Sequence, residues 1–427
     1  MMIRFEGNGI QAWKAERYYS KAFLRRVKRF VRAPQHIFEV IVPPQWIDVC
    51  QSEISSLGYS VLSEEAFSGD KTSTSISFRG RIWDAYKLCL WLRTASRVLI
   101  RLAQFTAGSV KVFQKRMRDI PWELWLNPSI PVRIYCNVKY SNLRHEGMVC
   151  EETVKAICNR FAEQGLIVSW ERMTLDSEDQ IDEFSFPRCR LWVDLVRNVC
   201  TVKMDLTGVH LHERGYRLEP GYAPLRETLA CAMFKFLRWD PAGEPLVDAM
   251  TGSGTFAIEA ALIGKNRAPG LERSFLFEQL PFFDDAPWQY EQKTALASIK
   301  NLCQPIVAID KDSHQLDRAR RNAKRASVAD DIIWIQGNFF ELVPKDLNLT
   351  TTGAIVMNPP YGRRLSVSAG KLYNQIKEHL GSHYRNWRAG LVVPDPELLR
   401  VFQVYNPAVF RLPHGGLWIY FVAFKVS

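Results

Sequence analysis

Pro245-Leu246-Val247-Asp248-Ala249-Met250-Thr251-Gly252-Ser253-Gly254-Thr255, running on into Phe256 to Ile263, reads as a short apolar strand, a tight turn and a helix. Gly252 and Gly254 permit the turn and a close approach of backbone to a ligand, the arrangement of a nucleoside-binding βα unit. No Gly-Lys-Ser/Thr ending follows, which removes the phosphate-loop reading, and the third glycine of a dinucleotide loop is missing. A second stretch sharpens the first. Gly353-Ala354-Ile355-Val356-Met357 is a buried-type strand that runs into Asn358-Pro359-Pro360-Tyr361, so the tetrapeptide sits at a strand's carboxyl end, where open α/β sheets bind ligands. The two prolines hold that turn rigid. The Asn358 side-chain oxygen and the Pro359 carbonyl are two acceptors for a planar exocyclic amine, and Tyr361 is an aromatic face for the base that carries it. The plain alternative is a surface turn, for which Asn-Pro and Pro-Pro are ordinary punctuation.

Around these two loops the chain alternates strand and helix from Arg226 onward, with strands at Pro245–Val247, Ile306–Ile309, Ile332–Ile335, Ala354–Met357, Leu391–Val393 and Leu417–Phe424. Repeated βα units imply an α/β fold with a mostly parallel, doubly wound, Rossmann-like sheet. Asp310 ends the second strand, where a carboxylate suits ribose hydroxyls; capping the next helix is its other possible role, although Asp312 is better placed for that.

Upstream the pattern is α+β. Residues 1–34 form a basic extension, with Arg25, Arg26, Lys28, Arg29 and Arg32 close together, read either as an RNA-contacting arm or as a solvated helix. Residues 35–70 make a first module and 71–200 a second, leaving 201–427 for the α/β domain. Leu88 to Leu102 repeats apolar residues at helical spacing and predicts an amphipathic helix; Val132–Val138, Leu191–Leu195 and Val199–Leu206 predict strands.

The chain has 427 residues and a formal net charge of +11, which favours a polyanionic partner and above all nucleic acid. Lys111, Lys115, Arg116 and Arg118 form a second basic cluster. No stretch is long and apolar enough to cross a bilayer, and no secretory signal opens the chain, so a soluble cytoplasmic protein with no membrane partner is expected. Nine scattered cysteines without a Cys-x-x-Cys pair predict reduced thiols and no metal. His210 and His212 lack further ligands at metal-binding spacing and read as structural or RNA-facing.

Four stretches resemble the bacterial THUMP-domain methyltransferases that make N2-methylguanine in large-subunit ribosomal RNA. They are Leu90-Trp91-Leu92-Arg93-Thr94-Ala95-Ser96-Arg97; Leu211 to Arg217 with Ala223 to Ala230; Asp248 to Thr255 with Ile258 to Ala261 and Arg267 to Gly270; and Asn358 to Leu365. The resemblance implies a class I methyltransferase sheet, S-adenosylmethionine as cofactor, and a THUMP-like region at 71–200, with a ferredoxin-like part at 35–70, that grips ribosomal RNA. Asn358, Pro359, Pro360 and Tyr361 then form the catalytic loop. Asp248, Gly252, Ser253, Gly254, Thr255, Asp310 and Asn338 are then expected at the cofactor site, with Thr228 and Arg217 near the cofactor or target entrance. Arg217, Arg363 and Arg364, the last two by their place directly after the catalytic turn, and the basic cluster of Lys111, Lys115 and Arg116 are expected to face RNA. Asn338 stands where relatives often carry an aspartate that contacts adenine. Some relatives have a second methyltransferase domain; with none before Ser427, a single modification is expected. Transfer-RNA guanine methylation, DNA adenine methylation and a non-catalytic ribosome-assembly role are the alternatives.

Overall fold

A computed structural model of the chain describes residues 20–66, 74–165, 189–219, 225–360, 369–414 and 417–427. Residues 1–19 of the basic extension, and Tyr361, Arg363 and Arg364 of the expected site, lie outside the described residues.

Helix α1 (Lys21–Val27) and the wider turn Lys28–Arg32 precede β1 (His36–Val42), α2 (Ile47–Ser56), β2 (Val61–Ala66), β3 (Thr74–Gly80) and α3 (Ile82–Trp91). There follow β4 (Arg97–Thr106), α4 (Val110–Asp119), α5 (Trp122–Trp125), β5 (Val132–Lys139), α6 (Glu146–Glu163), β6 (Cys189–Val196) and β7 (Val199–Asp205). Their strands form one seven-stranded sheet in the order 2-3-1-4-7-6-5. This sheet bears on two boundaries drawn from sequence. Position 70 falls between antiparallel neighbours β2 and β3, so the two expected N-terminal modules share a sheet, and β7 belongs to that sheet beyond residue 200.

Leu88 to Leu102 is not one helix. α3 stops at Trp91, Leu92 is extended at ψ 124°, and Arg97–Thr106 is a strand between β1 and β7. Helical spacing and a buried strand look alike over a short apolar run; here the central sheet position decides. The thiols are corrected too. Cys136 on β5 and Cys150 on α6 are joined in a disulfide that closes the strand-to-helix connection, while the other seven cysteines are free.

The described part of the basic extension is docked. Val27 and Val31 are fully buried, Arg26 pairs with Glu123, and Arg32 donates to the Phe282 carbonyl at 3.0 Å and pairs with Asp284 at 2.8 Å. Two of its cations thus fasten the arm to the body, leaving Arg25, Lys28 and Arg29 exposed.

The second half contains α7 (Glu227–Leu237), β8 (Leu246–Asp248), α8 (Thr255–Gly264), α9 (Asp285–Ala297), β9 (Ile306–Asp310), α10 (Ser313–Arg325) and β10 (Ile332–Gln336). It ends with β11 (Ala354–Met357), α11 (Ala369–His383), β12 (Arg388–Val393), β13 (Ala408–His414) and β14 (Leu417–Lys425). The sheet order is 10-9-8-11-12-14-13, parallel from β8 to β12 and closed by an antiparallel β13–β14 hairpin. β13, unmarked in the sequence reading, is an edge strand and so tolerates Pro413. Order reverses between β8 and β11, which pair directly, and this switch point is where ligands bind in such sheets.

Arginines lock the two halves. Arg273 donates to the carbonyls of Thr207, Val209, His210 and Glu213, and Arg214 to those of Leu211 and Arg93. Arg93 in turn reaches the Arg267 carbonyl at 2.8 Å. Carbonyls take most of these donors, set out in the rigid fork of a guanidinium, and the buried Glu259 carboxylate lies 3.7 Å from Arg214.

Candidate active site

Both loops meet in one cavity of about 440 Å³ at the switch point, within the range of small-molecule and cofactor sites. Their roots are tied: Ala249 N–H donates to the Val356 carbonyl at 3.0 Å, and Thr251 N–H to that of Ile309 at 2.9 Å. Gly252 has φ +54° and a Cβ there would meet no atom within 4 Å, so its backbone faces open space in the cavity. Gly254, at φ +90°, is pressed against α10: a Cβ would lie 3.0 Å from the Ala319 Cβ and 3.1 Å from the Ile258 Cδ1. One glycine serves the ligand side and the other the packing side. Asn322 of α10, fully buried, donates to the Ser253 carbonyl at 3.1 Å and fixes the loop from behind. No sequence signal marked Asn322, because its role depends on which face of α10 meets the loop.

The Asp310 carboxylate lines the cavity and is oriented by two backbone donors, Gly252 N–H at 2.8 Å and Asp312 N–H at 3.0 Å. Asp312 performs the capping, accepting from His314 N–H at 2.9 Å. Asp248 does not line the cavity. It is buried beneath the loop and accepts from the Thr251 hydroxyl at 2.6 Å and Ala257 N–H at 3.2 Å. Burial, with Asp310 nearby as a smaller cause, pushes its pKa up to about 7. Asp248 therefore shapes the loop from beneath.

Ser253, Thr255 and Asn338 also line the cavity. Both ends of the Asn338 amide are in use: its oxygen accepts from Phe340 N–H at 3.3 Å and its nitrogen donates to Glu341 at 2.9 Å. Asn358 and Pro360 border the same space, and Pro359 is buried beneath them. Phe340, Met250 and Leu225 supply apolar lining that the sequence reading did not single out.

Thr228 is buried on α7 and is absent from the cavity wall. Arg217 is not a free RNA-facing cation. It pairs with Glu227 and donates to the Leu225 carbonyl at 2.8 Å, so it steadies a residue of the cavity wall. Lys111, Lys115 and Arg116, far along the chain from the cavity, lie exposed on α4, whose Phe113 and Met117 face the core. His210 and His212 stack at 5.2 Å, and burial with neighbouring arginines holds both neutral, with pKa values near 2 and 3. Among the described residues no three His, Cys, Asp or Glu side chains converge as a metal site, and no helix is long and apolar enough to cross a membrane.

Residues 214–413 match the RMKL-like methyltransferase domain, and residues 48–99 match the RlmL ferredoxin-like domain. A Synechocystis sp. protein with the provisional name RNA methyltransferase slr0064 is 30% identical over 373 residues, 86% of this chain and 91% of its own. The ribosomal RNA large subunit methyltransferase K/L of Syntrophotalea carbinolica is 28% identical over 94% of this chain and 54% of its own length. This chain spans about half the length of that relative. Among solved structures, a protein of Clostridium difficile 630 provisionally titled a methylase superposes with a TM-score of 0.75 at 28% identity, covering 92% of this chain and 99% of that one. SMU.472, provisionally titled a methyltransferase and complexed with SAH, gives 0.73 at 26% identity, covering 92% and 98%.

The cavity suits S-adenosylmethionine. A loop whose glycine leaves open space, a preoriented carboxylate one strand away, and apolar side chains between them match a nucleoside's hydroxyls and base. With this site at the reversal point of a class I sheet, the chain belongs to the RMKL-like family of S-adenosylmethionine-dependent methyltransferases.

Proposed function

We propose that the protein methylates the exocyclic N2 amine of a guanine in large-subunit ribosomal RNA. The observation that carries this reading is the position of Asn358-Pro359-Pro360: at the carboxyl end of β11, on the wall of the cavity that the glycine loop and Asp310 also line. Bound S-adenosylmethionine supplies an electrophilic methyl group. The protein's own task is then positioning. The Asn358 side-chain oxygen and the Pro359 carbonyl accept the two amine hydrogens, which turns the nitrogen lone pair toward the cavity, and Tyr361 stacks on the base. Asp310 orients the ribose of the cofactor, while Arg363 and Arg364 hold phosphates beside the target. No general base is required, because the amine gives up its proton after methyl transfer. A base paired in RNA must leave its stack to enter such a pocket, and an aromatic face offsets part of that cost.

RNA as substrate is supported by the names of the curated relatives, and the net charge of +11 agrees with it. The test is methyl transfer from labelled S-adenosylmethionine by the purified chain to separate ribosomal and transfer RNA pools, with nucleoside mass spectrometry of the products. Label in large-subunit RNA as N2-methylguanine is the expected result. Label only in transfer RNA, or only as another methylated base, would overturn the substrate or the chemistry respectively.

A further inference from the structure

Tyr140 is the most exposed large apolar side chain among the described residues, at 85%, and its backbone is left-handed at φ +52°. That conformation disfavours a residue with a Cβ, and strained backbone kept at a surface points to a use for the side chain. The surroundings are built, not frayed. Three loops converge here: the one after β4, the one after β5, and the Arg197-Asn198 turn between β6 and β7, whose two residues are also left-handed at φ +50° and +64°. Arg197 N–H donates to the Lys139 carbonyl at 3.0 Å, Asn198 N–H to the Ser141 hydroxyl at 3.0 Å, and Asn142 N–H to the Asn198 side chain at 2.8 Å. Ala107 N–H reaches the Asn198 carbonyl at 2.7 Å.

The same loops carry Lys139, Arg144 and Arg197, all exposed. Glu146, the acid beside them, has its carboxylate turned to the Val138 N–H at 3.1 Å. An aromatic face among cations fits a nucleic acid strand, whose bases stack on the ring while its phosphates meet the charges. A partner with an apolar face would gain little from three cations, so charge complementarity favours RNA.

We infer that Tyr140, Lys139, Arg144 and Arg197 form a second RNA contact, in which the ring stacks on an unpaired base and the cations hold the flanking phosphates. This rests on the RNA reading above and extends it to residues outside the cavity wall. β7 begins at Val199 on this rim and ends at Asp205, beside the junction where Arg273 grips Thr207. A strand of that length separates rim from junction by roughly 20 Å. None of the rim residues lines the cavity, so the rim is a contact separate from the catalytic pocket.

The test uses the full chain, a large-subunit ribosomal RNA fragment that the wild type methylates, and the variants Tyr140→Asn, Tyr140→Phe and the triple Lys139→Glu, Arg144→Glu, Arg197→Glu. Asparagine adopts left-handed backbone readily, so Tyr140→Asn keeps or raises thermal stability while removing the ring. Its RNA affinity should fall roughly tenfold, with KM rising equally and kcat and cofactor affinity unchanged, whereas Tyr140→Phe should bind like the wild type. The triple variant should lower the salt slope of binding by about one unit for each phosphate it no longer neutralises. If the wild type methylates the fragment and all variants bind it normally with the same slope, this inference fails and the functional reading stands. A wild type that neither binds nor methylates any RNA ends both. A wild type that self-associates through Tyr140, with RNA affinity untouched in Tyr140→Asn, marks the rim as a protein contact and overturns the inference.

Discussion

The two sheets both bury carboxylates but keep them by opposite means. In the N-terminal sheet Glu39 lies 2.8 Å from both Arg101 and Lys203, Lys203 reaches Asp194 at 3.4 Å, and Asp205 pairs with Arg97 at 2.5 Å. Charge is cancelled on the sheet itself. In the catalytic sheet Asp248 accepts from a hydroxyl and a backbone N–H, and burial raises its pKa toward neutrality. The sheet that builds the cavity thus relies on hydrogen bonds to backbone and leaves Asp310 at the opening. The other sheet neutralises its interior and carries its unengaged cations on α4 and the loop rim. Chemistry should belong to one sheet and grip on RNA to the other, and substitutions can separate them.

The largest effect tests the chemistry. Asn358→Ala should lower kcat by roughly a hundredfold or more, the scale for losing one preorganised polar partner in a transition state. Cofactor affinity should stay within a few-fold, measured by calorimetry. Wild-type turnover in this variant would break the comparison by moving the chemistry off β11. Next, Asp310→Ala should weaken S-adenosylmethionine binding by about 1.5–3 kcal/mol, the worth of hydrogen bonds to a charged group. Because Asp310 also accepts from Gly252 N–H, Asp310→Asn is the control that preserves one acceptor for the loop. RNA affinity should move in neither variant.

Asp248 sharpens the contrast through pH. Its folded pKa, about 7, lies above the ordinary aspartate value of 3.8, so folding favours the protonated form. The stabilisation it gives is full below about pH 4 and is lost as pH rises toward 7. Asp248→Asn keeps an acceptor for Thr251 and Ala257 and cannot ionise. Relative to the wild type it should gain stability at pH 8 over pH 5, on the order of 1–3 kcal/mol. Parallel melting curves at the two pH values would contradict the neutral-carboxyl account.

A smaller effect is expected on the RNA side. Reversing Lys111, Lys115 and Arg116 should cut the salt dependence of RNA binding by about one unit for each phosphate left without its cation, with kcat at saturating RNA unchanged. Unchanged slopes would mean that α4 is solvated surface. The net charge of +11 did not by itself tell such cations from structural ones. Arg26, Arg32 and Arg217 looked equally free in the sequence, yet each is engaged, by Glu123, by Asp284 and by Glu227. Pairing partners 10 to 252 residues away in the chain leave no local mark. The same reason hid Asn322 behind the glycine loop. The parallel strands were legible because a strand buried on both faces is a continuous apolar run closed by turn residues. Leu88 to Leu102 was misread because Val98, Leu99 and Ile100 owe their strand to partners in β1 and β7, not to their own spacing.

The smallest effect concerns Asn338, where resemblance alone suggested an aspartate contacting adenine. Its side-chain oxygen caps the short turn Phe339–Glu341 through Phe340 N–H, and its nitrogen donates to Glu341. Asn338→Asp keeps the cap, which either residue can supply. It also replaces the donor facing Glu341 by a second carboxylate. Glu341 is exposed and Asn338 half-buried on the cavity wall, so solvent screens much of the like-charge repulsion; the cost should be roughly 0.2–1 kcal/mol and should shrink with added salt. Glu341→Gln in the same chain should remove it, since an amide can donate to the new carboxylate. Cofactor affinity should change less than it does in Asp310→Ala, because the Asn338 oxygen is already turned to Phe340. A gain in cofactor affinity that survives Glu341→Gln would show instead that position 338 reads the ligand directly, and the cavity edge at β10 would then join Asp310 and Asn358 as part of the working surface of the catalytic sheet.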